Sequence, residues 1–240
     1  MKSSLQFWSL KGTVGYEAVH KLQLELVELR YQKKIPDTVL FLEHEPVITR
    51  GRGLQFTGTP RDRQMPLLHA LPKEIYFSES ERGGDLTYHG PGQLVMYPIC
   101  QLDGRGFAPD HDIAGFLRKL EQLILDDLRG RGLESSIRKN ASGVWVGNQK
   151  IASVGIAVRK WISYHGLAYN CVNDLKPFYL ISPCGFSPEV MTRLSDWVSL
   201  GADWRSDLEK SLANRMVSDS VVLSLDLQEI QFRIDSHRGH

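Results

Sequence analysis

The sequence predicts an α+β fold with a mixed or antiparallel central sheet flanked by helices. Short apolar segments typical of strands dominate the middle of the 240-residue chain, and helical segments are scattered among them instead of alternating with them. No internal repeat and no low-complexity linker interrupts the chain. We therefore expect one domain spanning residues 1–240.

The first half of the chain contains two predicted helices separated by strands. Apolar residues recur every three or four positions over 16–33, which predicts the first helix. Strands are predicted at 38–42, 47–49 and 94–99. The clearest helix covers 110–129, because Asp110 and Asp112 suit its start, Gly130 suits its end, and an apolar stripe runs between them.

The second half adds a hairpin, a third strand and shorter helices. Strands are predicted at 143–147 and 150–158, joined by a turn at 147–149, and at 164–170. Residues 188–197 predict a short helix that Ser187 caps, and 204–217 predict another helix. The tail at 221–234 suggests a strand or a loose extension.

A glycine-rich loop at 82–93 contains arginine, threonine, tyrosine and histidine among its glycines, RGGDLTYHGPGQ. Glycines allow a ligand to approach the backbone closely and leave amide groups available to bind it. The loop is not a phosphate P-loop, because no Gly-Lys-Ser/Thr follows, and it is not a dinucleotide fingerprint, because it precedes a strand. The pattern therefore predicts a binding loop of another kind.

Cys184 lies in a Pro-Cys-Gly bend, just before the helix start predicted at Ser187. A thiol in such a bend can point into a cleft, and a nearby helix N-terminus favours the nucleophilic thiolate. The alternative is a small buried hydrophobic residue, which free cysteine usually is. Lys150 stands at the start of a predicted strand, where the usual alternative is a solvated hairpin end.

Four segments in order, RGGDLTYHGPGQ, GVWVGNQKIASVG, YHGLAYN and NDLKPFYLISPCGF, resemble the lipoyl(octanoyl) transferases of protein lipoylation. The resemblance spans roughly residues 35–197 and implies the fold shared by biotin and lipoate protein ligases. Tyr169 stands where a leucine is common, which bears on the shape of the pocket; Cys171 and Phe186 also differ from the pattern.

The resemblance implies a catalytic pair and an acyl pocket. Cys184 would accept the acyl group, and Lys150 would lower the pKa of its thiol and exchange protons with it. The pocket residues that the resemblance implies are Arg82, Gly83, Gly84, Asp85, Leu86, Thr87, Tyr88, His89, Ser153, Val154, Gly155, Gly166, Leu167 and Ala168. The small residues Gly155, Gly166 and Ala168 leave room for an apolar chain.

The implied reaction moves octanoyl from octanoyl acyl carrier protein, through a Cys184 thioester, to a lysine of a lipoyl domain. The acceptors would be the lipoyl domains of 2-oxoacid dehydrogenase E2 subunits and the glycine cleavage H protein. A thioester donor is already activated, so we expect no cofactor, no ATP requirement and no metal.

Alternative functions remain open. An ATP-dependent lipoate ligase shares the fold but needs no thiol, and a carrier-binding module would keep the pocket without forming an acyl-enzyme. A Cys–His dyad using His89 or His165 would indicate a thiol hydrolase, although we favour structural roles for both. A metal site built from His44, His89, His111 and His165 is disfavoured, because no pair has local ligand spacing.

Composition narrows the classes further. A net charge of +1 gives no general case for nucleic acid binding. Three cysteines without metal-type spacing indicate a reducing, cytoplasmic location. No apolar run is long enough for a membrane span, and no signal peptide is evident. Arg50, Arg52, Arg61 and Arg63 form a basic stretch that is either solvated or a dock for an acidic carrier protein.

Overall fold

A computed structural model describes residues 5–55, 71–139, 141–181 and 190–238. Within these residues, eight strands form a large sheet in the order β11-β1-β2-β6-β10-β9-β8-β7. Strands β1, β2 and β11 pair in parallel, and every other pairing in this sheet is antiparallel. The strands are β1 (Leu5–Val14), β2 (Asp37–His44), β6 (Gln93–Ile99), β7 (Ser136–Arg138), β8 (Ala141–Val146), β9 (Gln149–Arg159), β10 (Ile162–Asn170) and β11 (Val222–Leu225).

A second, three-stranded sheet has the order β4-β3-β5 and consists of β3 (Val47–Arg50), β4 (Tyr76–Glu79) and β5 (Leu86–His89). β3 follows β2 after only two residues, and β5 leads into β6 through the turn at 90–92. The small sheet is therefore attached to β2 and β6, two neighbouring strands of the large sheet, which places the glycine-rich loop beside the large sheet.

Helices cover both faces of the large sheet. Helices α1 (Tyr16–Tyr31) and α4 (Leu227–Arg238) pack on one face, and α2 (Ile113–Gly130) and α3 (Trp204–Met216) pack on the other. Asp112 caps α2, accepting a hydrogen bond of 2.7 Å from the Gly115 amide. The predicted apolar stripe of α2 is buried against the sheet, as Phe116, Leu120, Ile124 and Leu128 each have no exposed surface.

The predicted α+β class with a mixed sheet is confirmed, as are the main helices and the strands of the middle of the chain. Four strands, β1, β4, β5 and β7, were not predicted, and the predictions for 190–197 and for the tail need correction. β1 was not predicted, since its Phe7–Leu10 core is a continuous buried run without alternation. The tail at 221–234 is not loose, because β11 pairs with β1 and α4 follows. Residues 190–197 form no α-helix but a 3₁₀ turn at Leu194–Asp196; the predicted cap Ser187 lies outside the described residues.

Among the described residues, each helix is too short or too polar to cross a lipid bilayer.

Candidate functional site

A cavity of about 230 Å³ opens between strands β9 and β10 of the large sheet and the glycine-rich loop. Its walls come from the start of α1, the turn after β3, the loop at 82–85, and strands β5, β6, β8, β9 and β10. The lining residues are Tyr16, Gly53, Arg82, Gly83, Gly84, Asp85, Thr87, His89, Tyr97, Ser142, Lys150, Ser153, Val154, Gly155, His165, Gly166, Leu167 and Ala168.

Most of the residues predicted for the pocket meet at this cavity, but the side chains of Leu86 and Tyr88 do not. Both lie on the other face of β5 and pack with Phe178 in a separate cluster, where the Tyr88 and Phe178 rings meet edge to face. The reason is the two-residue period of a strand: Thr87 and His89 face the cavity, so their neighbours face away. The prediction of side-chain contact for the unbroken run from Arg82 to His89 is therefore corrected at these two positions.

The loop is held in place mainly by Arg82. Its guanidinium donates to the Thr49 carbonyl and to the Asp85 carbonyl, both at 2.8 Å, and also to the Thr49 hydroxyl. The Gly83 amide donates to the Ile156 carbonyl at 2.9 Å, which ties the loop to β9. Arg82 is only 9% exposed, so this side chain both orders the loop and forms part of the cavity wall.

Glycines open the cavity where β9 and β10 pair. Gly155 and Gly166 lie opposite each other in the two strands. A Cβ on Gly155 would lie 2.7 Å from the Gly83 carbonyl oxygen, and one on Gly166 would lie 2.1 Å from the Met96 carbonyl oxygen. Larger side chains would push the strands and the loop apart, so the cavity depends on both glycines.

Lys150 is buried, with 2% of its surface exposed, and the interpretation as a solvated hairpin end is wrong. It is the second residue of β9, and its Nζ lies 6.0 Å from the centre of the Trp145 ring. A Cβ on Gly143 would lie 2.7 Å from Lys150 Cε, so glycine at 143 leaves the path of the lysine side chain clear. Lys150 therefore lines the cavity although it is buried within the protein.

Cys184 lies outside the described residues, but the chain on either side of it is described. Ile181 is buried, and Met191 forms a parallel bridge with Lys150. The Thr192 amide donates to the Lys150 carbonyl at 3.0 Å. The chain that follows the Cys184 segment therefore returns directly beside the predicted catalytic lysine.

Two buried histidines, His89 and His165, line the cavity, and His44 lies beside His89, with 5.7 Å between the ring centres. His44 Nδ1 is 3.0 Å from the Val14 carbonyl and its Nε2 is 2.9 Å from the Tyr97 hydroxyl. His89 Nδ1 lies 2.7 Å from Gln93 Oε1. Burial lowers the pKa of His44 and of His165 to about 4 and lowers that of His89 as well. These bonds support the structural interpretation of His89.

The sequence did not predict five of the lining residues: Tyr16, Gly53, Tyr97, Ser142 and His165. The sequence offered His165 as a dyad partner, a structural residue or a disfavoured metal ligand, but not as a pocket residue. Its position next to Gly166, a predicted pocket residue, was the signal that could have placed it at the cavity. Tyr97 belongs to an apolar strand and Tyr16 to a helix start, where no local pattern marks a ligand contact.

Tyr169 and Cys171, which differ from the family pattern, lie in the main core away from the cavity. The Tyr169 hydroxyl donates to Asp127 Oδ2 at 3.4 Å. Their side chains therefore do not shape the cavity walls.

In the basic stretch, Arg50 pairs with Glu79 and Arg52 is exposed, while Arg61 and Arg63 lie outside the described residues. The docking role of this stretch stays a prediction.

The model of the lipoyl protein ligase A/B catalytic domain family matches residues 16–212. Proteins named octanoyltransferase are similar over most of the chain. The one from Syntrophobacter fumaroxidans is 39% identical, covering 84% of this chain and 85% of its own, and the one from Mycobacterium leprae is 40% identical, covering 77% and 75%.

Solved structures share the fold at low identity. A putative lipoate protein ligase from T. acidophilum with bound lipoic acid has a TM-score of 0.66 at 17% identity, covering 98% of this chain and 94% of its own. A lipoate-protein ligase A bound with ATP has a TM-score of 0.65 at 18% identity, covering 98% and 95%. From the match over residues 16–212 and from these relatives, the chain belongs to the lipoyl protein ligase A/B catalytic domain family.

Proposed function

We propose that this protein is an octanoyltransferase that moves an octanoyl group from acyl carrier protein to a lysine of a lipoyl domain. The observation that carries the proposal is the buried Lys150 at a glycine-walled cavity, next to the chain that returns from Cys184. Relatives named octanoyltransferase support the same acyl group. The acceptors we propose are the lipoyl domains of 2-oxoacid dehydrogenase E2 subunits and the glycine cleavage H protein.

The proposed reaction has two acyl transfers. The Cys184 thiolate attacks the carbonyl carbon of the donor thioester, and the carrier thiol leaves with a proton. Lys150 stabilises the Cys184 thiolate and donates its proton to the leaving carrier thiolate. The acceptor lysine amine then attacks the Cys184 thioester, gives a proton to the neutral Lys150 amine and releases the Cys184 thiolate, forming the amide. Both steps use the energy of the thioester, so ATP is not consumed.

The cavity suits a slender apolar chain. At about 230 Å³ it is smaller than the pockets that hold drug-sized ligands. Gly155, Gly166 and Ala168 present little side-chain bulk, while Val154 and Leu167 supply apolar surface. The backbone amides of Gly84 and Asp85 are candidate donors to the oxyanion that forms when a thioester carbonyl is attacked.

Cys184 can be tested against the two other cysteines of the chain. Cys100 and Cys171 are buried without exposed surface, and burial raises the pKa of both thiols. Incubation of the enzyme with octanoyl carrier protein should add one octanoyl group by intact mass. Cys184→Ser should abolish the adduct and nearly all transfer, while Cys100→Ser and Cys171→Ser should keep most of both. Near wild-type turnover of Cys184→Ser would show that another residue is the nucleophile.

An ATP-dependent lipoate ligase is the second candidate, favoured by the likeness to lipoate protein ligases, which concerns the fold alone. The two functions differ in kinetics. A transferase should work without ATP, and double-reciprocal plots against donor and acceptor should run parallel. Activity only with ATP and free acid would assign the ligase function. Intersecting lines without an acyl-enzyme would indicate direct transfer in a ternary complex.

We also propose that residues 1–240 form one catalytic domain. The support is that β11 pairs with β1 and that α4 packs into the same core as α1. A single cooperative unfolding transition, seen equally by fluorescence and circular dichroism, is the expected result.

We propose a cytoplasmic location, because the reactive thiol of Cys184 must stay reduced.

A further inference from the structure

Three side chains from distant parts of the sequence meet at the cavity wall, where His165 is a lining residue. His20 belongs to α1, Glu81 immediately precedes Arg82, and His165 belongs to β10. Their nearest ligand-type atoms all lie within 4.8 Å of one another. His20 Nε2 is 3.0 Å from Glu81 Oε2, and His165 Nε2 is 3.6 Å from the same oxygen.

Two of the three separations are close to those of ligands around one tetrahedral metal ion. Zinc holds imidazole nitrogen and carboxylate oxygen at about 2.0–2.2 Å, so neighbouring ligand atoms lie roughly 3.3 Å apart. The distances of 3.0 Å and 3.6 Å bracket that value. Two imidazoles on one such ion have ring centres roughly 5 Å apart, and the centres of His20 and His165 are 5.5 Å apart.

Two buried polar atoms of the cluster lack a hydrogen bond. His20 Nε2 and Glu81 Oε2 lie 3.0 Å apart, but this contact does not have hydrogen-bond geometry, and neither atom has a hydrogen-bond partner among the residues that the structure describes. A buried polar atom without a hydrogen bond loses the free energy that hydration gives it in the unfolded chain, so its burial needs an explanation. A shared cation would satisfy both atoms at once.

The backbone of His165 supports the same conclusion. His165 has a φ of +56° inside a strand, a left-handed conformation that non-glycine residues seldom adopt. Its amide is held by Gln23 Oε1 at 2.7 Å, and its side chain is 1% exposed. Such strain persists only where the surroundings enforce it, and here it directs the ring toward Glu81 and His20.

We propose that His20, Glu81 and His165 bind one divalent transition-metal ion, zinc by preference, with water completing the coordination. The His₂-carboxylate donor set is one that zinc favours. His20 is 17% and Glu81 32% exposed at the side chain, which gives the ion a route from solvent. The ion links α1, the segment before Arg82 and β10, so it is a positioning element for the cavity wall and takes no part in acyl transfer.

Zinc binding by the purified full-length chain tests the site without donor or acceptor, so the outcome is independent of the proposed function. After treatment with a chelator, the wild type should bind one equivalent of Zn²⁺ in competition with a chromophoric chelator. His20→Ala and Glu81→Gln should each weaken binding by more than about tenfold, the lower limit for losing even an indirect contact. Zn²⁺ should raise the melting temperature of the wild type and leave that of His20→Ala unchanged.

The matched control is His237→Ala, since His237 is also a helical histidine but is exposed on α4. It should keep wild-type Zn²⁺ affinity. Co²⁺ substitution separates this site from a cysteine site, because nitrogen and oxygen ligands give no thiolate charge-transfer band. Equal affinity in the wild type, His20→Ala and Glu81→Gln, or a thiolate band that disappears in Cys184→Ser, would overturn the proposal.

Discussion

Lys150 is a lysine that follows a hairpin turn and yet lies inside the protein. Lysine at a hairpin end usually extends its ammonium group into solvent. The bare backbone of Gly143 and the bridge to Met191 keep Lys150 in this unusual place. This position beside the chain that follows Cys184 supports the catalytic role that we propose for Lys150.

We expect Lys150→Ala to lower octanoyl transfer roughly a hundredfold or more, the usual contribution of a proton-transferring group. Loss of the ammonium should also raise the pKa of the Cys184 thiol, so iodoacetamide should alkylate the thiol more slowly at neutral pH. Lys160→Ala is the matched control, since Lys160 stands at the next hairpin turn and pairs with Glu28 on the surface. Alkylation and activity like wild type in Lys150→Ala would remove this residue from the mechanism.

At the scale of single residues, the sequence predicted the groups that occur in short motifs. Lys150 and the loop from Arg82 follow from such motifs, and both reach the cavity. His20, Glu81 and His165 could not be grouped from the sequence, because α1, the loop and β10 bring them together only in the folded chain. Leu86 and Tyr88 belong to the loop motif, yet their side chains pack in a separate cluster. A motif alone does not show which side chains of a strand face the cavity.

The hairpin of β8 and β9 depends on one glycine. Gly143 has a φ of +126°, and a Cβ there would lie 2.1 Å from the Ala152 carbonyl oxygen and 2.7 Å from Lys150 Cε. Any side chain at 143 must therefore strain the backbone and move the lysine. The position of the Lys150 side chain therefore depends on the backbone of the whole β8–β9 hairpin.

We expect Gly143→Ala to destabilise the protein by at least about 1 kcal/mol, the cost of a strained backbone conformation, and to reduce transfer activity as well. Gly201→Ala is the control, because Gly201 has open space around its Cβ position and a φ outside the left-handed region. Its melting temperature and activity should equal those of the wild type. Thermal unfolding and the transfer assay measure both effects; a Gly143→Ala protein that matched Gly201→Ala in both would contradict the packing argument.

Elements with a regular pattern were predictable, and those defined by distant partners were not. The stripe of α2 and its Asp112 cap are local features, and the structure confirms them. β1 and β11 pair with each other across the whole length of the chain. Their burial is decided by that pairing and by α4, so neither segment shows a clear period in the sequence.

Helix α4 follows β11, the strand that pairs with β1, and packs on the same face of the large sheet as α1. Ile234 has no exposed surface and belongs to the core under α1, whereas Phe232 on the same helix is 77% exposed. We expect Ile234→Ala to lower the free energy of unfolding by about 2–5 kcal/mol, the usual cost of truncating a buried isoleucine. Phe232→Ala should change it by less than about 0.5 kcal/mol. Urea unfolding of both variants measures the difference, and equal losses would mean that α4 does not pack as described.

The buried histidines make the stability of the whole molecule depend on pH. Burial lowers the pKa of His44 and His165 to about 4 in the folded protein, whereas an unfolded chain protonates histidine near pH 6.5. Between these values the unfolded state binds more protons, so stability is complete above about pH 6.5 and falls as the pH drops toward 4. Glu81, with a pKa of about 2, contributes stability that is lost only at lower pH.

Urea unfolding between about pH 7 and about pH 5 should therefore show a falling midpoint, with a loss of roughly 1 kcal/mol per pH unit for each histidine that only the unfolded state protonates. His44→Gln should make this dependence shallower, because one of these groups is removed while a side chain able to hydrogen-bond to the Tyr97 hydroxyl remains. The slope against pH is the decisive quantity, since it is independent of any constant loss of stability that the substitution causes. A midpoint that stays constant over this range would mean that His44 and His165 take up protons as readily in the folded protein as in the unfolded chain.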